Sequence, residues 1–112
     1  AEPSIIKVKI DDSGKVLTIP AYGESFKGID INIVKDALLK DGVNEKTIDD
    51  YFKKFQLWIN DKGKMSSETL GIIAQLLGYD IVDILGIRDV YAGKGVPSTI
   101  RMVFDPKRIK II

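Results

Sequence analysis

The chain has 112 residues, of which 45% are hydrophobic and 29% are charged, and its net charge is +1. This composition predicts a single globular domain spanning residues 1–112. The absence of cysteine and histidine excludes disulfide frameworks, zinc fingers, thiol nucleophiles and Ser-His-Asp catalysis.

No apolar run approaches the roughly 18 residues of a membrane span, and the first residues show no signal peptide. We therefore expect a cytoplasmic protein that does not enter the membrane. The lack of cysteine, combined with abundant Ile, Lys and Asp, is typical of a thermophilic or an AT-rich source.

The N-terminal segment predicts a β-hairpin. Ile6, Val8 and Ile10 alternate with lysines, and residues 11–14 supply turn-forming side chains. Pro20 either ends the second strand or confines it to the edge of a sheet, because proline has no amide to donate.

Two amphipathic helices are predicted next. Asp30 caps the first, which runs through Leu39. The second begins at Asn44 or Thr47. Its apolar stripe, at intervals of three and four, consists of Ile48, Phe52, Phe55 and Ile59.

Residues 66–87 predict two further helices around a glycine turn. Ser66 or Ser67 caps the third helix, which is almost entirely apolar over residues 70–77 and is therefore expected to be buried nearly all round. Gly78 ends it, and a short fourth helix covers residues 80–85.

The C-terminal part predicts strands over residues 90–92 and 100–104, on either side of a loop, and residues 108–112 are a candidate further strand. The expected fold class is α+β: an N-terminal β-hairpin, three to four helices and a C-terminal β-hairpin.

Over residues 43–104 this order of elements resembles the winged helix-turn-helix superfamily. In that resemblance Ala74 lies against the next helix, Gly78 makes the turn and Ile84 packs the following helix. It implies a DNA-recognition helix at residues 79–85 and a wing at residues 93–99.

The expected recognition helix departs from this family in its chemistry. Base edges are read by Arg, Lys, Asn or Gln, whereas residues 79–85 offer Asp80, Asp83 and apolar side chains. Because aspartates repel phosphates, any nucleic-acid contact is expected in the hairpin that follows.

Charge is distributed unevenly along the chain. Residues 94–112 carry five basic groups and one acidic group, a net charge of +4, and the other 93 residues carry −3. The first hypothesis is therefore a winged-helix-like domain that binds the DNA backbone with little sequence preference. The predicted contact residues are Lys94, Ser98, Thr99, Arg101, Lys107, Arg108 and Lys110. The alternative for these residues is a hairpin whose basic groups protect a solvated strand edge.

The second hypothesis is a non-catalytic protein-interaction or assembly module, such as a homodimer, a subunit of a larger complex or a viral component. It rests on the many apolar residues within residues 70–87, which are more than the core of a small domain is expected to cover. The predicted interface residues are Tyr51, Trp58, Val82 and Leu85.

We do not expect an enzyme, a cofactor or a metal site. No nucleophile–base pair, metal constellation or nucleotide motif is found in the sequence. The acidic pairs at residues 11–12 and 49–50 are typical of a turn and of a helix start, respectively.

Overall fold

The computed structural model describes residues 8–10, 14–25, 27–88, 97–105 and 109–111. The strands in this part are β1 (Val8–Ile10), β2 (Val16–Pro20), β3 (Ile29–Asp30), β4 (Lys64–Met65), β5 (Ile81–Arg88), β6 (Pro97–Val103) and β7 (Ile109–Ile111). The helices are α1 (Ile31–Lys40), α2 (Glu45–Lys54) and α3 (Ser67–Leu76), and a short 3-10 helix covers Gln56–Trp58. The expected α+β class is confirmed.

A mixed three-stranded sheet forms the centre of the molecule, in the order β2-β5-β6. β2 runs parallel to β5, and β6 runs antiparallel to it. In the middle row Ile84 of β5 lies between Ile19 and Ile100. β5 is thus the central strand, and both β2 and β6 form their ladder hydrogen bonds with it.

The predicted N-terminal hairpin is wrong. β1 pairs with β7, antiparallel, and β2 pairs with β5 rather than with β1. The alternating pattern of β2 identified a strand, but it did not identify its neighbour. Leu17 and Ile19 of β2 are buried beside Val82 and Ile84 of β5, and packing between residues this distant in sequence favours that pairing.

The predicted fourth helix is also wrong, because residues 81–88 form β5. Gly78 does end α3, with a φ of +90°. Beyond it, Ile81, Val82 and Ile84 are β-branched and stiff at χ1, which favours a strand. In β5 the side chains of Val82 and Ile84 point to one face and are fully buried.

A C-terminal hairpin is confirmed in a shifted position. Its strands are β5 and β6, so the first strand lies before the predicted residues 90–92, which fall outside the described residues. β7 agrees with the strand predicted within residues 108–112.

A bulge in β5, between Ile84 and Ile87, interrupts its pairing with β6, and Gly86 adopts a φ of +66° there.

The three helix starts agree with their predicted caps. The caps are Asp30, Asn44 and Ser66, and each side-chain oxygen accepts a hydrogen bond from a main-chain amide two or three residues later. α2 ends at Lys54, earlier than predicted, and the 3-10 helix continues the chain.

The hydrophobic core lies between the central sheet and the helices, on one face of the sheet. Fully buried side chains from both layers meet there: Leu17 and Ile19 of β2, Val82 and Ile84 of β5, Val34 and Leu38 of α1, and Leu70 of α3. Each such burial stabilises the fold by about 1.5–3 kcal/mol.

α3 is not buried all round as predicted. Leu70 and Ile73 face the core, but Ile72 and Leu76 are 48% and 52% exposed. The helix therefore has an apolar face that its own domain does not cover.

Candidate interaction surfaces

The outer edge of β2 offers unpaired main-chain groups. Ile81 donates its amide to the carbonyl of Lys15, and Ala21 donates its amide to the carbonyl of Leu85. In a parallel ladder the main-chain N–H and C=O of one residue point to the same side of the strand. The main-chain groups of the odd-numbered residues of β2 therefore point toward β5, and those of the even-numbered residues point away from it. No strand in the described part of the chain pairs with that outer side. The β2 edge, defined by Val16, Thr18 and Pro20, therefore presents two amides and three carbonyls to an incoming strand.

A groove with a volume of about 430 Å³ runs beside this edge, between β2 and α1. We call it the β2 groove. It is lined by Val16, Leu17, Thr18, Pro20, Ile33, Asp36, Ala37, Lys40 and Asp41. A groove between an edge strand and a helix is the geometry that accepts an added strand.

The helix side of the β2 groove is a stripe of mixed character. Ile33, Asp36, Ala37 and Lys40 follow one another at intervals of three, one and three, which places them on one face of α1. Asp36 and Lys40 are exposed. The stripe therefore combines an acid, a small residue and a base.

Tyr79 is hydrogen-bonded to Asp41, one of the residues that line this groove. Its side chain is buried, its hydroxyl donates to Asp41, and the Lys15 ammonium lies 4.4 Å from the centre of its ring. Burial, together with the hydrogen bond to the Asp41 carboxylate, raises the pKa of the Tyr79 hydroxyl well above its usual range. Tyr79 thus fixes the C-terminal end of α1 against the core.

A second groove, of similar volume, lies at the other end of the sheet between α3 and β6. We call it the β6 groove. Its lining residues are Glu68, Gly71, Ile72, Gln75, Met102 and Phe104. The exposed Ile72 and Leu76 belong to the same helix, so exposed apolar surface continues along α3 beyond this groove.

A third exposed apolar feature is the 3-10 helix, where Leu57 and Trp58 are 86% and 61% exposed. Tyr51 is half-buried and packs against the core. Because α2 ends at Lys54, helical spacing no longer relates Tyr51 to Trp58. Of these two predicted interface residues, only Trp58 is exposed.

The two predicted interface residues in β5 lie on opposite faces of the strand. Val82 is fully buried in the core, so its predicted place at an interface is not compatible with this fold. Leu85 is half-buried on the face away from the helices. The physical reason is the change from helix to strand, which sends successive side chains in opposite directions.

The predicted nucleic-acid contacts are only partly within the described residues. Ser98 and Thr99 are exposed in β6. Arg101 makes a two-pronged ion pair with Asp83, with N–O distances of 2.7 and 2.8 Å. Lys94, Lys107 and Arg108 lie outside the described residues, as does the side chain of Lys110.

The Asp83–Arg101 pair gives Asp83 a structural role within the sheet. The two residues are opposite each other in the β5–β6 ladder, and the Asp83 side chain is only 15% exposed. The Arg101 charge is thereby balanced within the fold, which lowers its contribution to any anionic ligand.

Sequence reasoning missed both grooves. Pro20 predicted that its strand either ends there or lies at a sheet edge; β2 ends at Pro20, and among the described residues it is an edge strand. The stripe from Ile33 to Lys40 is visible in the sequence, but it becomes a groove wall only once α1 lies beside β2.

Comparison with family models, with curated proteins and with solved structures found no match to this chain. No helix among the described residues is both long and apolar enough to cross a bilayer. Within the same residues there is no cluster of three or more acidic groups placed to hold a metal ion.

Proposed function

We propose that this chain is a non-catalytic protein-interaction and assembly module that binds its partners at the edges of its central sheet. The observation that carries the proposal is the position of the two grooves. Each lies where the sheet ends, between an edge strand and the helix that packs beside it.

The physical argument is that an edge strand beside a groove supplies two kinds of binding energy. Main-chain groups give hydrogen bonds to an added strand, and the groove receives its side chains. Exposed aliphatic groups on α3, namely Ile72 and Leu76, add apolar area that becomes buried only in a complex.

A peptide selection tests this proposal. The full chain is immobilised and challenged with a random-sequence peptide library, and the selected peptides are measured by fluorescence anisotropy. The expected peptides are extended and carry apolar residues at alternate positions, because successive side chains of a strand face opposite sides.

Matched variants locate the binding. Ile72→Glu with Leu76→Glu is expected to weaken peptides bound at the β6 groove by about tenfold or more. Leu39→Glu, which alters an exposed apolar residue of α1 outside both grooves, should leave them unchanged. Selection of no peptide whose binding depends on either groove, from a chain that is also monomeric, would overturn the proposal.

A second candidate function is non-specific binding to the nucleic-acid backbone by the β5–β6 hairpin. It is favoured by the net charge of +4 in residues 94–112 and by the exposed Ser98 and Thr99 within that segment. Of the winged-helix resemblance, only the hairpin supports this candidate, because residues 81–88 form a strand and residues 79–85 therefore provide no recognition helix.

Salt dependence tests this candidate. Binding to duplex and single-stranded DNA should fall steeply as salt rises, with a log–log slope of about −0.9 per phosphate neutralised on duplex. Lys94→Glu, Lys107→Glu and Arg108→Glu together should abolish it, while Lys46→Glu, Lys53→Glu and Lys54→Glu, which make the same change of charge on α2, should weaken it far less. A lack of DNA binding at low salt removes this candidate.

A further inference from the structure

The β2 edge has a spacing of donors and acceptors that matches a second copy of itself. If two β2 strands meet antiparallel about a two-fold axis at Thr18, each Thr18 amide donates to the Thr18 carbonyl of the other copy. Two residues away, each Val16 amide donates to the Pro20 carbonyl of the other copy. The ladder then contains four main-chain hydrogen bonds, formed by groups that the intramolecular ladder leaves unused.

Pro20 is compatible with this register. Proline cannot donate, so a ladder that passed through it would lose a bond in its interior. In the symmetric register Pro20 lies at the end of each strand, where a missing donor costs least.

The charges of the β2 groove are also self-complementary. A two-fold axis perpendicular to the sheet places the second α1 beside the first, on the same face of the sheet and antiparallel to it. Asp36 of each copy then faces the end of the other helix that carries Lys40, and Ala37, a small residue, lies between them. Opposite charges meet twice, once on each side of the axis.

The same charges argue for a second copy over an unrelated peptide. An added peptide satisfies the main-chain groups of the β2 edge, but only one of matching charge pattern satisfies Asp36 and Lys40. An antiparallel copy of α1 carries that pattern by symmetry.

We infer that two copies of this chain associate through the β2 edge, β2 against β2 about an axis at Thr18, to form a six-stranded sheet in the order β6-β5-β2-β2-β5-β6 with the two α1 helices side by side. This inference rests on the proposed function, since it names the partner at one of its two grooves. The β6 groove remains open in this dimer.

Charge reversal with mixing is the decisive experiment. Sedimentation equilibrium of the full chain over a range of concentrations should give a dimer. Asp36→Lys and Lys40→Asp, each alone, should raise the dimer Kd by about tenfold or more, because attraction becomes repulsion at two symmetric places. The double variant, Asp36→Lys with Lys40→Asp, should restore dimerisation, and an equal mixture of the two single variants should form mixed dimers.

Two controls separate these effects from a loss of folding. Asp50→Lys and Lys54→Asp reverse an exposed pair with the same spacing on α2 and should leave the Kd unchanged. Thr18→Pro removes one amide of the β2 edge and should abolish dimerisation, whereas Thr18→Val keeps the amide and should preserve it. Circular dichroism checks that each variant is folded, and the charge reversals stand independently of Thr18→Pro.

The outcomes distinguish this inference from the proposed function. A wild-type monomer at all concentrations, or a dimer unaffected by the Asp36 and Lys40 reversals, overturns the pairing through β2. If the chain then still selects peptides that depend on Ile72 and Leu76, the proposed function stands without it. Loss of dimerisation in the single variants with recovery in their mixture supports both.

Discussion

The two ends of the central sheet differ in the chemistry that they offer a partner. At the β2 end, the groove is walled by Asp36, Ala37 and Lys40, and the edge strand stops at Pro20. At the β6 end, the groove has apolar groups of Met102 and Phe104 on the strand side, and exposed aliphatic groups continue along α3.

This difference gives the β2 end a means of selecting a partner and the β6 end a means of binding many partners. Paired opposite charges fix the orientation of a partner, because only one direction brings each charge to its opposite. An apolar groove gives favourable burial for many sequences, but it does not select among them strongly. We therefore expect the β2 end to choose a particular partner and the β6 end to accept extended apolar segments.

The largest expected effect comes from a change in β5, the strand that pairs with both β2 and β6. Val82→Asp places an unpaired charge in the core and should destabilise the fold by about 4 kcal/mol or more, removing both edges together. Leu85→Asp, in the same strand but on the opposite and half-buried face, should cost about 1–2 kcal/mol. Urea unfolding followed by circular dichroism measures both, and equal costs would contradict the assignment of the faces.

The next effect concerns the bulge in β5. A Cβ at Gly86 would lie 2.1 Å from the Tyr22 ring, at a backbone φ of +66°. Gly86→Ala should therefore destabilise the fold by about 1–2 kcal/mol. Repeating it in a Tyr22→Ala background separates the two causes, since only the contribution of the ring contact disappears there.

A stabilising change is expected at the β6 end. Gly71 lies within α3, and an added Cβ there would meet Phe104 at 3.5 Å and Met102 at 3.6 Å, which is ordinary contact. Gly71→Ala should stabilise the fold by roughly 1 kcal/mol through helix propensity. It should also fill the floor of the β6 groove and weaken peptides bound there, while the dimer Kd stays the same. Gly78→Ala, at a φ of +90° with no neighbour within 4 Å, is the matched control and should destabilise.

The smallest effect concerns the β2 end and depends on pH. Tyr79→Phe removes the hydrogen bond to Asp41 and should cost about 0.5–1 kcal/mol at neutral pH. Because folding raises the pKa of the Tyr79 hydroxyl, its contribution is complete below a pH of about 10, the usual pKa of tyrosine, and is lost as the pH rises beyond that value. The free energy of unfolding of the wild type should thus fall more steeply above pH 10 than that of Tyr79→Phe, and parallel curves would contradict this role.

Local signals in the sequence were sufficient for the starts of the three helices. Asp30 caps α1 as predicted, and Asn44 and Ser66 are each one of the two caps predicted for their helices. Capping depends on side-chain and main-chain groups only two or three residues apart. The candidate grooves could not be predicted in the same way. They are formed by residues from elements that meet only in the folded chain, such as Gly71 and Met102.

The amino-acid sequence by itself determined the α+β class and the starts of the three helices, since these follow from periodicity and caps. The missing amide of Pro20 restricted β2 to ending there or lying at a sheet edge. Only the tertiary structure decided that residues 81–88 form the central strand and that β2 pairs with them. A short apolar run is compatible with either a helix or a strand. The choice was made by the burial of Val82 and Ile84 between partners that are distant in sequence, which no local pattern contains.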